Sequence, residues 1–428
     1  MIEGANDTMK KSTEIVFLSH YKPCASGYAD YVFHLVNSLA ELRPEHGFMV
    51  LGCSCVMRYA DAKINAKIEK KNVLINRIFK KNSLSSLAKI INFLAKSRVE
   101  NLYIHYPLEL FTGFILAPVL NLILPLLFLP LLLTKGIRLI VDLDSIHKPY
   151  QGGLKERAFL LLQLLTLKLL QSVGAVIVCR NIVAWKLLTS MGFSEKLTRY
   201  IPHGTPCNVP IAQDRANEIR TRLGLSEGPV ISYWGYISRY KGINYLIRAI
   251  KYVIGEYPNV KLVIAGDYFN PLDKYKPKKH RYLPYLRDLV RSLELEDKVI
   301  FVTRHLTEDE VDSLIASSDI VVLPYITKNL SASGVLARVM SHGKPVVVTD
   351  CGWFIGYVLN GVNGIVVPQG DERALAEAIL RLLRDPQLRS KLMENMRRMA
   401  NGFKWSNVTR RWLKIFEECK GRDRRDAR

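Results

Sequence analysis

The chain has 428 residues, 49% hydrophobic and 23% charged, with 61 Lys and Arg against 39 Asp and Glu for a formal net charge of +22. That length exceeds one ordinary core and predicts two domains, and the composition is globular, which sets aside fibrous and disordered classes. The basic balance favours anionic partners, whether phosphorylated metabolites, nucleic acid or an acidic bilayer face, without choosing among them.

The N-terminal segment carries Lys10-Lys11 and a short apolar stretch broken by His20 and Lys22, so no cleavable signal peptide is expected and Met9 is an alternative start. The run from Glu14 to Leu18 reads as a buried strand. It is followed by a small-residue loop with Gly27 and a helix, the opening of a βαβ unit. "HGFMVLGCSCV" predicts a second strand, 63–98 a basic helical stretch, and "NLYIHYP" another short strand. Seven cysteines (24, 53, 55, 179, 207, 351 and 419) are odd in number and contain no CxxC pair. This argues against a disulfide framework or a zinc site and for a reducing cytosol.

Residues 111–133, "FTGFILAPVLNLILPLLFLPLLL", carry no charge over 23 residues, a length that reaches the membrane-span range. Pro118, Pro125, Pro130 and Asn121 interrupt the run, and the strand "IRLIVDLD" resumes the alternation, so a buried crossover or an in-plane docking segment competes with a true span. The stretch 158–171, "AFLLLQLLTLKLLQ", is apolar nearly all round as a helix, which implies core burial or bilayer contact. Cations at 135, 138, 148, 155 and 157 suit anionic headgroups. "GAVIVCR" is a strand, and the Pro- and Gly-containing stretch near 205–215 is the domain boundary.

The second half alternates strand and helix. Strands are expected at 230–234, "VKLVIAGD", "VIFVT", "IVVLPY", "PVVVTD" and "GIVV", and helices at 243–254, 281–293, 308–317, 335–341 and 371–383. This is a parallel, doubly wound sheet. Thr307-x-x-Glu310 reads as a capping box.

Loop 235–242, "GYISRYKG", follows a strand and opens a helix. In doubly wound sheets ligands lie at such strand ends, and Arg239 and Lys241 there suit a phosphate, against the alternative of solvated loop cations. In "LPYITKNLSASGVLARVMSHGKP" a helix starts near Ser333-Gly334 and stops at Gly343. Ser331, Ser333 and the backbone N–H groups of Gly334, Val335 and Leu336 form a second anion cradle, so the pair suits a diphosphate.

The stretch from 228 to 418 resembles the donor-binding domain of retaining GT-B glycosyltransferases, family four (glycosyl transferases group 1). The resemblance rests on "GYISRYKGINYLIRAI", "KLVIAGD", "LTEDEVDSLIASSDIVVLPY", "SGVLARVMSHGKPVVVTD" and "GVNGIVVPQGDERALAEAI" in that order and spacing. It implies two Rossmann-like α/β domains facing a cleft: residues 1–208 for acceptor and membrane docking, 209–402 for a nucleotide-sugar donor, and 403–428 as a helix crossing back plus a basic tail. It implies that Lys241 grips the donor pyrophosphate, that 333–336 faces the same phosphates, and that Gly27 closes over the donor. Tyr236 stands where many relatives carry Arg, and Arg338 where many carry a ribose-binding glutamate. A guanidinium accepts no hydrogen bond, so Arg338 reaches phosphate or the ribose contact differs. In "VDLDSIH", Asp144 takes the place of a histidine near the reacting sugar, with a loop-capping role as its alternative.

The implied activity is retaining glycosyl transfer from a nucleotide-diphosphate sugar to a lipid-linked, glycolipid or glycan acceptor on the cytoplasmic membrane face. Lys241 and Asp144 are its catalytic candidates, and no metal or other cofactor is expected. A non-catalytic, nucleotide-sugar-binding relative and a basic nucleic-acid-binding protein are the competing readings. The dispersed basic residues and the absence of an aromatic-rich recognition motif weigh against the latter.

Overall fold

The computed structural model of the chain describes residues 15–22, 24, 26–53, 72–107, 110, 116–147, 153–206, 213–225, 227–267 and 282–418. Residues 63–71 of the basic stretch, 111–115 of the apolar run, Lys148, most of the basic loop 274–282 and Cys55, Cys207 and Cys419 lie outside the described residues. The chain divides into two compact units, the first comprising 1–204, 330–332 and 405–428, the second 205–329 and 333–404.

In the first unit, seven parallel strands take the order β3-β2-β1-β4-β5-β6-β7. They are β1 Ile15–Leu18, β2 Phe48–Cys53, β3 Val73–Phe79, β4 Asn101–Tyr106, β5 Arg138–Leu143, β6 Val176–Cys179 and β7 Thr198–Tyr200. Helices cover both faces, so the central strands are apolar without alternation. Val16 and Leu18 enter one core and Ile15 and Phe17 the other. Helix α1, Gly27–Leu42, is capped by Ser26, whose side chain accepts from the Ala29 N–H, a contribution of about 1 kcal/mol. The second core also holds the closing helix Trp405–Glu418, where Trp412 Nε1 donates to the Tyr31 hydroxyl at 3.1 Å.

Four sequence expectations are refined here. The basic stretch 63–98 contains strand β3 before its helix α2, Leu84–Lys96. Its "VLINRIF" is an edge strand, so Asn76 and Arg77 interrupt the apolar pattern that marks central strands. The described part of the apolar run folds as two short helices, α3 Ala117–Ile123 and α4 Leu129–Lys135, joined by a 3₁₀ turn, each with proline in its first turn where no N–H is needed. By length and composition alone Ala117–Lys135 is long and apolar enough to cross a membrane. Helix α5, Leu154–Ser172, is neither wholly buried nor wholly wet. Leu160, Leu167 and Leu170 enter the core, whereas Leu161, Leu165 and Leu169 are 58%, 59% and 49% exposed on successive turns of one face. Cys53 is disulfide-bonded, which the scattered cysteine spacing did not anticipate.

The first helix of the second unit, α7 Gln213–Arg222 (α6 being Ile182–Ser190), begins inside the stretch read as linker. The parallel sheet that follows has the order β10-β9-β8-β11-β12-β13. Its strands are β8 Val230–Trp234, β9 Lys261–Ala265, β10 Val299–Val302, β11 Ile320–Leu323, β12 Val346–Thr349 and β13 Ile365–Val367. The Thr307–Glu310 capping box is present on the helix Glu308–Ser317. A further helix, Pro386–Gly402, was not anticipated. Its start is local: the Asp385 side chain accepts from Leu388 N–H and Pro386 occupies the first helical turn. In both sheets the chain reverses direction of travel beside its first strand, between β1 and β4 and between β8 and β11. Such switch points open a crevice at the carboxyl ends of the strands.

Candidate functional site

At the second switch point, the chain leaves β8 through Gly235, makes a 3₁₀ turn over Arg239–Lys241 and enters the helix Ile243–Val253 through Gly242. Gly242 has φ 66°, and a Cβ there would lie 1.9 Å from the Pro324 carbonyl oxygen, so only glycine fits. Gly235 has φ 127°, and its added Cβ would meet Val335 Cγ2 at 3.2 Å, which sets the loop against the start of the helix Gly334–His342. The Tyr233 hydroxyl donates to the Tyr236 carbonyl at 2.8 Å, and Ile237 N–H to the Asp267 carbonyl at 2.9 Å. The Tyr236 ring stays 39% exposed. Arg239 is exposed, with its guanidinium 5.5 and 6.0 Å from the ring centroids of Tyr282 and Tyr285.

Lys241 is the inward cation of this loop, 4% exposed. Its Nζ lies 3.6 Å from the Tyr325 ring centroid, 4.9 Å from that of Tyr240 and 5.2 Å from that of Trp353. The rings come from the loops after β8, β11 and β12. Burial lowers the Lys241 pKa to about 7, and only the Cys351 thiol opposes the shift. Among the described residues no carboxylate neutralises the ammonium. Attraction to aromatic faces, roughly 2 kcal/mol when desolvated, holds it without cancelling its charge.

Beside it, Ser333 caps the helix Gly334–His342, and its Oγ accepts from Leu336 N–H at 3.2 Å. The Leu336 amide, expected to be open to an anion, is thus occupied. Among the described residues the N–H groups of Gly334 and Val335 have no acceptor, so two amides and the positive helix end remain. The Tyr325 hydroxyl lies 3.4 Å from Ser333 Oγ, which joins the ring cage to the helix start. Ser238 Oγ, Trp234 Nε1 and Trp353 Nε1 are buried without a hydrogen-bond partner. Orphaned donors of this kind are costly in a folded protein and are satisfied when a ligand brings acceptors.

Arg338 faces away from this role. Its Nε and Nη2 each donate to Asp312 at 2.7 Å and its Nη1 lies 3.5 Å from Glu308. Burial works against its charge, but Asp312 and Glu308 push its pKa up. Ser331 does not join Ser333: it groups with the first unit, where its carbonyl accepts from Asn181 Nδ2 at 3.0 Å.

In the first unit, Gly27 opens α1 with no atom within 4 Å of an added Cβ. Asp144, 12% exposed, meets Arg180 Nη1 at 3.3 Å. Arg180 also donates through Nε to Asp142 at 2.9 Å, contacts the same carboxylate through Nη2, and reaches His105 Nδ1 at 2.9 Å, while its guanidinium stacks 3.6 Å from the Tyr31 ring centroid. His105 Nδ1 thus lies between a guanidinium, which only donates, and a carboxylate, which only accepts. The Asp142 carboxylate lies 3.8 Å from that nitrogen. Burial would raise the Asp142 pKa, yet Arg180 and His105 hold it at about 2. His105 and Arg180, like the three rings around Lys241, were not singled out from sequence because each becomes meaningful only beside partners from other strand ends. The group His20, Cys24 and Cys53 brings three possible metal-ligand atoms within 4.8 Å of one another, but Cys53 is already disulfide-bonded and offers no thiolate.

Residues 215–399 match the family model described as glycosyl transferases group 1. Alpha-D-kanosaminyltransferase of Streptomyces kanamyceticus is 32% identical over 181 residues, 42% of this chain and 43% of that protein. HepE of Anabaena, solved in complex with UDP, aligns with a TM-score of 0.69 at 18% identity, covering 95% of this chain and 100% of that chain. Sucrose-phosphate synthase of Thermosynechococcus elongatus aligns with a TM-score of 0.71 at 19% identity, covering 95% and 98%. The sequence matches span about half the length of the curated relatives. The chain therefore has the GT-B fold of these glycosyltransferase structures, and its second unit carries the match to glycosyl transferases group 1.

Proposed function

We propose that the protein is a retaining glycosyltransferase that takes a sugar from a nucleotide-diphosphate donor and passes it to a lipid-linked, glycolipid or glycan acceptor. The observation that carries this reading is the caged, un-neutralised ammonium of Lys241 beside the open amides of Gly334 and Val335. As the glycosidic bond breaks, negative charge grows on the leaving diphosphate, and pre-placed donors stabilise it without reorganisation. The protein supplies that positive charge, so the proposal assigns no metal. In a retaining course the acceptor attacks the face from which the diphosphate leaves, and the leaving phosphate takes the acceptor proton. Asp144, anchored by Arg180 and partly exposed, is suited to orient a sugar hydroxyl or to stabilise oxocarbenium charge.

The same proposal seats the first unit on the cytoplasmic face of a membrane. Besides Leu161, Leu165 and Leu169, the side chains of Leu127 and Leu133 are 49% and 60% exposed. Helix α3 packs on α5, and Leu133 and Val173 line one small cavity, so these leucines belong to neighbouring elements. Covering each adds on the order of 1 kcal/mol, and a net charge of +22 suits an anionic surface. Lys135 is less available than expected, because its ammonium is docked on the carbonyls that end α2.

Thermal shifts with UDP-, GDP- and ADP-sugars test the donor reading: one series is expected to stabilise the wild type and to lose that effect in Lys241→Ala, and stabilisation unaltered by the substitution would refute it. Flotation with vesicles containing phosphatidylglycerol tests docking. Serine at 161, 165 and 169 together is expected to abolish flotation, and equal flotation of both forms would remove the membrane proposal.

A further inference from the structure

We infer that Trp353 is a ligand-binding residue of the anion site, its indole N–H donating to a diphosphate oxygen, and that Tyr325 is the positioning residue that holds Lys241 for the same ligand. The inference deepens the donor reading above and rests on it for the identity of the diphosphate. Trp353 is only partly buried, yet its Nε1 is sealed from water and has no acceptor. An indole nitrogen can only donate, so what it lacks among the described residues is an acceptor, which an oxyanion can supply. The centroid of the ring that carries it stands 5.2 Å from the Lys241 ammonium, the buried cation of this loop, which among the described residues no carboxylate cancels. An oxyanion drawn to Lys241 would arrive beside that donor.

The cage is braced from several sides. Tyr325 meets Trp353 edge-on with ring centroids 5.9 Å apart, and Tyr240 lies 6.0 Å from Trp353. The Tyr325 carbonyl accepts from Thr349 Oγ1 at 2.6 Å, and the Tyr240 carbonyl accepts from Ile326 N–H at 2.7 Å. Tyr325 is fully buried and touches both anchors of the site, the ammonium through its ring face and the Ser333 cap through its hydroxyl. A carboxylate in its place would hold Lys241 equally well but would repel the incoming diphosphate. An aromatic face avoids that competition. Ser238 Oγ, also buried without a partner, is a second donor from the Lys241 loop.

Indole ¹H–¹⁵N spectra and isothermal titration decide the question, with pyrophosphate, UDP and GDP as probes. Trp353→Phe keeps an aromatic ring in the cage and removes the N–H together with the five-membered ring that carries it; it also identifies the Trp353 indole signal. The wild-type signal is expected to move downfield on addition of a binding probe. Trp353→Phe is expected to bind that probe about tenfold more weakly, as befits one lost hydrogen bond to a charged group, with an unchanged melting temperature. Tyr325→Leu is expected to weaken binding of the same probe, with Tyr325→Phe restoring most of it. An indole signal that stays in place while a probe binds, or equal affinity in Trp353→Phe, overturns the inference and leaves the donor reading intact. Failure of the wild type to bind any of the three probes overturns both.

Discussion

Two buried cations sit just past the carboxyl ends of strands, Arg180 after β6 in the first sheet and Lys241 after β8 in the second, and they are held in opposite ways. Arg180 is clasped by two carboxylates and an imidazole, so its charge is cancelled and it acts as a spacer that fixes Asp144 and His105 in place. Lys241 is held by aromatic faces, keeps its charge unopposed and, through burial, has a pKa lowered to about 7. Neutralisation favours architecture, whereas an uncompensated charge is a standing disadvantage to the free protein that a diphosphate relieves.

The widest expected contrast is in stability. Arg180→Met leaves the carboxylate of Asp142 buried beside Tyr103 without its cation, and should destabilise the protein by roughly 3–5 kcal/mol in urea unfolding. Lys241→Ala gives up the ring contacts but also the cost of an unpaired buried charge, and should lower the unfolding midpoint much less. A comparable loss in both variants would break the comparison. Activity should invert the order of effects. Lys241→Ala is expected to lower kcat/KM on the order of 10², since one charge-assisted contact is worth roughly 1.5–3 kcal/mol, and wild-type turnover would rule out the assignment. Smaller still, Tyr325→Leu should raise the donor KM roughly tenfold with kcat less affected, because it loosens the ammonium without removing it. A change confined to kcat would place Tyr325 in the chemistry instead.

How much of this was legible in the sequence follows from how local each signal is. Gly235, Gly242, Ser333 and Gly343 mark turns and caps through their own backbone demands, so both loops of the second unit and the helix between Ser333 and Gly343 could be read in order. The Asp385-Pro386 helix start carries a signal of the same local kind, a capping carboxylate followed by proline. The ring cage was not legible, because Tyr240, Tyr325 and Trp353 share no spacing and meet only when three strands align. The same holds for Asp142, Arg180 and His105, which come from three strands of the other sheet. Arg338 was read against a phosphate; its partner Asp312 lies on the neighbouring helix, a contact that no single-element pattern encodes. The burial state of α5 was ambiguous for a related reason: leucines on opposite faces look alike until one face has a neighbour.

Proton linkage tests the central claim most directly. Lys241 titrates near pH 7 in the free protein, and a bound diphosphate favours its charged form and raises that value. Binding must then take up a proton above pH 7, and the affinity must fall as pH rises beyond it, by up to about tenfold per unit. Calorimetric titration of UDP and GDP at pH 8 in buffers of different ionisation enthalpy should show an uptake approaching one proton for the nucleotide that binds, and Lys241→Met should show none. Tight binding without proton uptake, or with the same uptake in Lys241→Met, would contradict the account.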